Sequence, residues 1–381
     1  MGLRVGIVGC GAIASAHVRG YRASEDVDIV ACSDISLERA QKFATEKEIP
    51  KPYENFIRMF ETERLDAVSV CTPNYAHCEP TVEALKRGIH VLCEKPIAMN
   101  SEEAQKMVDA ARAYKSMLTI GHHMRFLPVS QFLKRMIEQG ELGHIYYGRS
   151  HALRRRGVPG WGQFHIKSKS GGGPLIDLGV HTLDLIIWLM GSPRPRSVSG
   201  SVYTQFGNRQ TFYNPHGTYH REDYDVEDFA CGMVKFTNGC TLTLEASWAA
   251  HLKDEEVYPQ TILGDKGGAE LMPFTVAKAA TSVRIFQSRD EALVNIEPTA
   301  FAVVDAHVEE LKHWVKCVRG EAEVLVRAEE SLNVQRILDS IYLSSQEGRE
   351  IRIDEVHELS GDGSGRVGSN LELAQAPAAG R

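Results

Sequence analysis

Over the first 120 residues, apolar positions alternate between short continuous runs and stretches with a period of three to four. The runs Leu3 to Val8, Val27 to Cys32, Ala67 to Val70, Ile89 to Cys93 and Leu118 to Ile120 have the length and composition of buried strands. Between them lie amphipathic helical stretches: one through Tyr21, then Leu37 to Lys47, Glu79 to Lys86 and Glu102 to Tyr114. Asn100 or Ser101 can cap the last of these ahead of Glu102 and Glu103, and Gly88 supplies a left-handed stop after the one before it. This is the rhythm of βαβ units, and it predicts an α/β fold with a Rossmann doubly wound parallel sheet over residues 1–123.

After Arg125 the pattern changes to longer alternating runs, Ile145 to Leu153, Ser197 to Thr204, Phe229 to Phe236, Thr241 to Ser247 and Gln260 to Leu263. Asn238-Gly239 between two of them is a hairpin signal. Residues 124–357 are therefore expected to form a second α/β domain around a large, mostly antiparallel, open-faced sheet. One face would pack on helices and the other would meet another subunit. Helical periodicity returns over Val303 to Val318 and Ala328 to Tyr342, a short strand is expected over Glu350 to Ile353, and residues 358–381 read as a disordered tail.

Composition narrows the function class. Lys and Arg total 43 against 50 Asp and Glu, a formal charge of -7, so no global basic field exists to hold a nucleic acid. The longest apolar run, Leu185 to Met190, is far short of the roughly 20 residues of a membrane span, and no secretion signal precedes the first strand. The eight cysteines are scattered through strand-like runs without the paired spacing of a zinc ribbon or redox motif. A soluble, cytoplasmic protein with reduced thiols is the expectation.

The turn after the first strand reads Gly9-Cys10-Gly11-Ala12-Ile13-Ala14, a G-x-G-x-x-A pattern in the setting a dinucleotide needs. Gly9 permits a tight turn, Gly11 admits the pyrophosphate to the backbone, and Ala14 is small enough for close helix packing. About twenty residues on, Asp34 ends the second strand, placed to accept the adenosine ribose hydroxyls and to repel a 2'-phosphate. No Arg immediately follows it, so NAD is predicted over NADP.

Two further elements carry chemistry. Cys93-Glu94-Lys95-Pro96 places Lys95 at the carboxyl edge of the sheet, where doubly wound folds bind ligands. Gly171-Gly172-Gly173 opens into a very apolar helix bearing Asp177 and His181 one turn apart, on one face. An apolar helix carries two ionisable groups only if they are satisfied or used. Alcohol oxidation needs a base for the hydroxyl proton, and histidine suits that role. Read alone, the pair also admits a structural ion pair, or a metal site with His122 and His123.

The glycine turn, Cys71-Thr72-Pro73-Asn74 with His77, Glu94-Lys95-Pro96, the triple glycine leading to Asp177 and His181, and the ending Ile341-Tyr342-Leu343-Ser344-Ser345 together resemble the Gfo/Idh/MocA family of glucose-fructose oxidoreductases and inositol dehydrogenases. The resemblance covers nearly everything before the tail. It implies that Lys95, Asp177 and His181 form the catalytic group, with His181 accepting the proton and Lys95 polarising the reacting oxygen. It also implies that Thr72, Pro73, Asn74 and His77 line the cofactor, together with Gly9, Gly11, Ala12, Ile13 and Asp34, and that Glu94 bonds the nicotinamide ribose. Members commonly form homodimers or homotetramers through the open sheet face.

Substrate choice is expected from Arg154-Arg155-Arg156-Gly157-Val158-Pro159-Gly160-Trp161, a loop able to lay Trp161 on an apolar sugar face and to offer Arg154 or Arg155 to hydroxyls. The alternative is a solvated basic turn. His123 is expected near the substrate and Arg125 near the cofactor. The expected activity is NAD-dependent oxidation of a secondary hydroxyl on a sugar, glycoside or cyclitol. Two rivals use the same fold: a glycosidase working by oxidation and elimination, and a non-catalytic NAD-binding sensor.

Overall fold

A computed structural model describes residues 2–273 and 282–356, and the expected tail lies outside them. The first sheet is wholly parallel, in the order β3-β2-β1-β4-β5-β6, with β1 Leu3–Val8, β2 Val27–Ser33, β3 Lys51–Tyr53, β4 Ala67–Val70, β5 His90–Cys93 and β6 Leu118–Ile120. The helices α1 Ala14–Arg22, α2 Leu37–Glu46, α3 Phe56–Thr62, α4 Cys78–Lys86 and α5 Ser101–Tyr114 connect successive strands. Asn100 caps α5 through the Glu103 amide, and Gly88 adopts φ +78 after α4. β3 and α3 escape a reading by pattern, because β3 is three residues long and contains Pro52.

The second sheet runs β15-β14-β13-β12-β7-β10-β9-β8-β16, with β7 Ile145–Arg154, β8 Pro195–Tyr203, β9 Phe229–Phe236, β10 Thr241–Ser247, β11 Glu256–Val257 beside β7, β12 Gln260–Gly264, β13 Gly267–Met272, β14 Ser282–Arg289, β15 Ala292–Ile296 and β16 Ile351–Arg352. Every pairing in it is antiparallel except β7 with β10. That exception matters for the site: two carboxyl ends, at Arg154 and Ser247, arrive side by side and are locked by Ser247 Oγ, which accepts from Arg154 N at 3.2 Å and donates to Arg154 O at 3.0 Å.

Two helices precede the glycine loop, α6 Pro128–Glu138 and α7 Lys167–Ser170; a single π-helical turn, Leu175–Gly179, then leads into α8 Val180–Leu189. The helical stretch Lys167–Leu189 is long and apolar enough to cross a membrane, which the run Leu185 to Met190 alone does not suggest. Its apolar window is 89% buried within the fold, so this is the central helix of the second core.

The chain then returns to the first sheet. Helix α9 Ala306–Val318, capped by Asp305, packs on α1, where Gly20 leaves room for Leu311: a Cβ on Gly20 would collide with that side chain. Leu311, Trp314 and Val315 complete the core beneath β1, and Val326, Ala328 and Leu332 complete the one beneath β5, the latter two from α10 Ala328–Glu347. Each large apolar side chain buried this way stabilises by about 1.5–3 kcal/mol.

Candidate active site

Functional groups gather at the carboxyl edge of the parallel sheet. Gly9 has φ +89, and a Cβ there would lie 2.8 Å from Cys71 O and Thr72 N, so the turn admits glycine alone. Gly11 faces open space and Ala12 is exposed beside it. Helix α1 starts after Ile13 with no side-chain cap and no acid in its first turn, leaving its amides for an anion. These features fit a dinucleotide pyrophosphate. Asp34, at the end of β2, accepts from the amides of Cys10 (3.0 Å) and Ser36 (3.0 Å) and pairs with Arg39 at 3.2 Å. No arginine follows it directly, yet one turn of α2 brings Arg39 to it.

Thr72, Pro73 and Asn74 follow β4 at the same edge. Asn74 Nδ2 donates to Ser170 O at 2.8 Å, tying this loop to the entrance of the central helix. His77 is buried, its ring nitrogens 2.7 Å from Pro96 O and 2.9 Å from Thr72 O. It is a brace beneath the loop, where the sequence suggests a cofactor-lining side chain.

From β5 the chain passes through Glu94 to Lys95. Lys95 Nζ donates to Asp177 O at 3.1 Å and Oδ1 at 3.3 Å. The other carboxylate oxygen of Asp177 accepts from Trp248 Nε1 at 3.2 Å, a residue delivered by the end of β10. Lys95 and Asp177, 82 positions apart, therefore form one charged pair, and His181 follows Asp177 on the next turn. The glycines upstream make this approach possible: a side chain on Gly172 would strike the Tyr342 hydroxyl, and one on Gly173 the Glu227 carbonyl. Glu227 in turn accepts from the amides of Gly173 (2.9 Å) and Leu175 (3.1 Å), fixing the start of the π turn.

His181 makes no hydrogen bond through its buried Nδ1, and its ring meets His123 edge-on at 5.0 Å. Burial, then the charge of Lys95, pushes its pKa well below the usual histidine value, so the ring is a neutral base at physiological pH. Glu94 is buried beneath. Burial alone would raise its pKa, but the hydrogen bond from His17 at 2.9 Å and nearby positive charge prevail and bring it to about 2. Its second oxygen accepts from Lys95 N at 3.1 Å, so both oxygens are engaged by the chain's own donors and Glu94 holds the Lys95 turn in place.

His122 lies behind this group, 2% exposed and 3.6 Å from Asp184. Burial lowers its pKa to about 4, against a partial opposing pull from Asp184. An unfolded chain takes up this proton near pH 6.5 and the native one does not, so stability falls as pH drops from about 6.5 toward 4. The expected loss from this ring alone is roughly 2 kcal/mol between pH 7 and 5. Urea unfolding of wild type and His122→Asn at both pH values checks it: the variant should lose less on acidification, and equal losses would place the proton uptake elsewhere.

Other expectations are corrected. Arg125 is 0% exposed, with its guanidinium bonded to Asp184 and Glu330, so it is a structural cation and not a cofactor contact. The three arginines of the loop diverge. Arg154 is largely buried, donates to Tyr258 at 2.9 Å and lies within reach of the Asp177 charge. Arg155 pairs with Glu255 at the surface, and Arg156 stacks on Phe206 and Phe212. Trp161 is exposed, with His216 alongside. His123 stays at the site, its ring also 4.0 Å from that of His307. Among the described residues no three His, Cys, Asp or Glu side chains are arranged to hold a metal ion. Trp248, His17 and Glu227 were not singled out from sequence, since each acts on a partner tens of positions away.

A model described as "Oxidoreductase family, NAD-binding Rossmann fold" matches residues 3–122, and one described as "Oxidoreductase family, C-terminal alpha/beta domain" matches residues 134–353. The D-glucoside 3-dehydrogenase of Escherichia coli (strain K12) is 33% identical over 92% of this chain and 97% of its own length. The glucose-6-phosphate 3-dehydrogenase of Bacillus subtilis (strain 168) is 32% identical over 50% of this chain and 54% of its own. A levoglucosan dehydrogenase solved with NADH and levoglucosan shares the fold, with a TM-score of 0.79 at 21% identity, covering 93% of this chain and 100% of that one.

Proposed function

The chain belongs to the Gfo/Idh/MocA family of NAD-binding oxidoreductases, and from that premise we propose that it oxidises a secondary hydroxyl of a sugar, glycoside or cyclitol to a ketone, with His181 as the proton acceptor. One observation carries the reading: a lysine clamped on a carboxylate, and a neutral histidine one turn further within range of the lysine charge, stand at the carboxyl edge of a dinucleotide-binding sheet. NAD, when bound, supplies the acceptor for the hydride leaving the carbinol carbon. Lys95, held by Asp177, orients the substrate hydroxyl and stabilises negative charge developing on its oxygen. His181 takes the proton released from that oxygen. Asp177 is itself fixed by Trp248, so Lys95 is held in place ahead of substrate.

The test is an NAD-reduction screen over inositols, free aldoses and O- and C-glycosides with product analysis. Stoichiometric NADH with the glycosidic bond intact is expected. Release of aglycone without net NADH would establish the elimination route, and neither product with any compound would leave a nucleotide-holding sensor. For the cofactor, Asp34→Ala is expected to narrow the preference for NAD over NADP by about tenfold or more, since a carboxylate accepting ribose hydroxyls is lost and Arg39 is freed. An unchanged kcat/KM ratio would remove Asp34 from the ribose. Self-association is assigned to the open face of the large sheet, where Met233 and Phe286 are exposed.

A further inference from the structure

We infer that the substrate is a glycoside, and that the loops 155–165 and 205–221 form a subsite for the ring carried on its anomeric oxygen, with Trp161 as the stacking platform. This rests on the proposed sugar dehydrogenation and adds the substrate class. Of the four tryptophans, Trp188, Trp248 and Trp314 are buried and Trp161 is 58% exposed. A single exposed aromatic means little by itself. This one is fixed from behind. Asn214 accepts from Val158 N at 3.1 Å and donates to Val158 O at 2.8 Å and Gly217 O at 3.0 Å. Gly160 N donates to His216 O at 2.9 Å, and a Cβ on Gly160 would come within 2.5 Å of Gly217 Cα. Within the same two loops, Arg156 lies over Phe206 at 5.0 Å and Phe212 at 5.4 Å. The backbone beside Trp161 is thus tied to residues 214–217, and the His216 ring lies 6.4 Å from the indole, near parallel at 19°. An aromatic side chain on a constrained backbone loses little entropy on binding a ring.

Its location selects the ligand. Gly157 separates Arg154 from His216, its Cβ position lying 2.7 Å from Arg154 Cδ and 3.3 Å from His216 Cε1. Arg154 ends β7, beside the Trp248 end of β10 that holds Asp177. On the other flank Gly162, Gln163 and Phe164 close a cavity of about 370 Å³ with Arg39, Pro73 and Asn74, along the dinucleotide edge. The platform therefore adjoins Arg154 through Gly157 and His216 and, through residues 162–164, the dinucleotide edge. In the proposed subsite the ring stacked there is a different one from the ring oxidised at Asp177 and His181. Pyranose C–H faces and aryl rings both stack on indole, so a disaccharide or an aryl glycoside satisfies the site.

Wild type, Trp161→Ala and Trp161→Phe are assayed with maltose, cellobiose, phenyl glucosides, methyl glucosides and glucose. Trp161→Ala should lower kcat/KM about tenfold for ring-bearing aglycones, with methyl glucosides and glucose within about twofold and Trp161→Phe near wild type. The disaccharide and phenyl arms tell which ring is preferred. Equal losses on all five, or a change confined to KM for NAD, would overturn the subsite while leaving the dehydrogenase reading intact. If no sugar yields NADH, that reading fails first, and indole fluorescence decides: a change in emission on adding cellobiose, maltose or phenyl glucoside, absent in Trp161→Ala, upholds the subsite, and no change overturns it.

Discussion

Replacing His181 by alanine is expected to lower kcat for NADH formation by about 10²–10⁴-fold, the span attributed to a positioned general base, with the thermal midpoint near that of wild type. The second half follows from the hydrogen bonds: Nδ1 of His181 has no partner, so no buried group loses its own partner when the ring is removed. The pH profile separates this role from a merely structural one. Burial and the positive charge of Lys95 keep the ring neutral, so the acid limb of kcat/KM lies below pH 6.5. Lys95→Met removes one source of that depression and should move the limb upward while also lowering the rate. Near-wild-type turnover in His181→Ala would place the proton acceptor elsewhere, and an unmoved limb in Lys95→Met would mean the ammonium does not act on the imidazole.

The largest stability effect is expected at Arg125. Its guanidinium donates to both Asp184 oxygens, from Nε at 2.8 Å and Nη2 at 2.6 Å, and from Nη1 to Glu330 at 2.6 Å and Leu325 O at 3.2 Å. One side chain thus joins the segment after β6 to α8 and α10. Arg125→Met leaves the buried Asp184 uncompensated and should cost about 3–5 kcal/mol, read from urea unfolding. Arg125→Lys should rescue little, because one ammonium cannot span the fork. A variant of unchanged stability with a raised KM for NAD would restore the cofactor role that the sequence suggests for this residue.

The first sheet was legible because its signals are local. Strand, glycine turn, helix and Asp34 follow one another within a few dozen positions, and each carries its own periodicity or cap. The second sheet was half legible. Asn238-Gly239 marks the β9–β10 hairpin plainly, whereas β14 and β15 turn at Asp290-Glu291, both at positive φ (46° and 63°) without the expected glycine or asparagine. The parallel β7–β10 pairing has no local signature, and it sets Arg154 beside Trp248. Lys95, Asp177 and His181 stood out by position and spacing, and their joint role came from the resemblance. Trp248 and Glu227, which hold that group, were not found, because their partners lie 71 and 54 positions away, and Arg125 looks the same in sequence whether it meets a cofactor or Asp184, 59 positions on.

Helix α9 has a consequence for biosynthesis. Leu311, Trp314 and Val315 fill the notch over Gly20 and the core beneath β1, so the nucleotide-binding half leaves the ribosome with an uncovered greasy flank that closes only after most of the second domain has been translated. Closure of that flank is thereby tied to the arrival of residues 306–318, and a nascent chain halted ahead of Ala306 is expected to expose it.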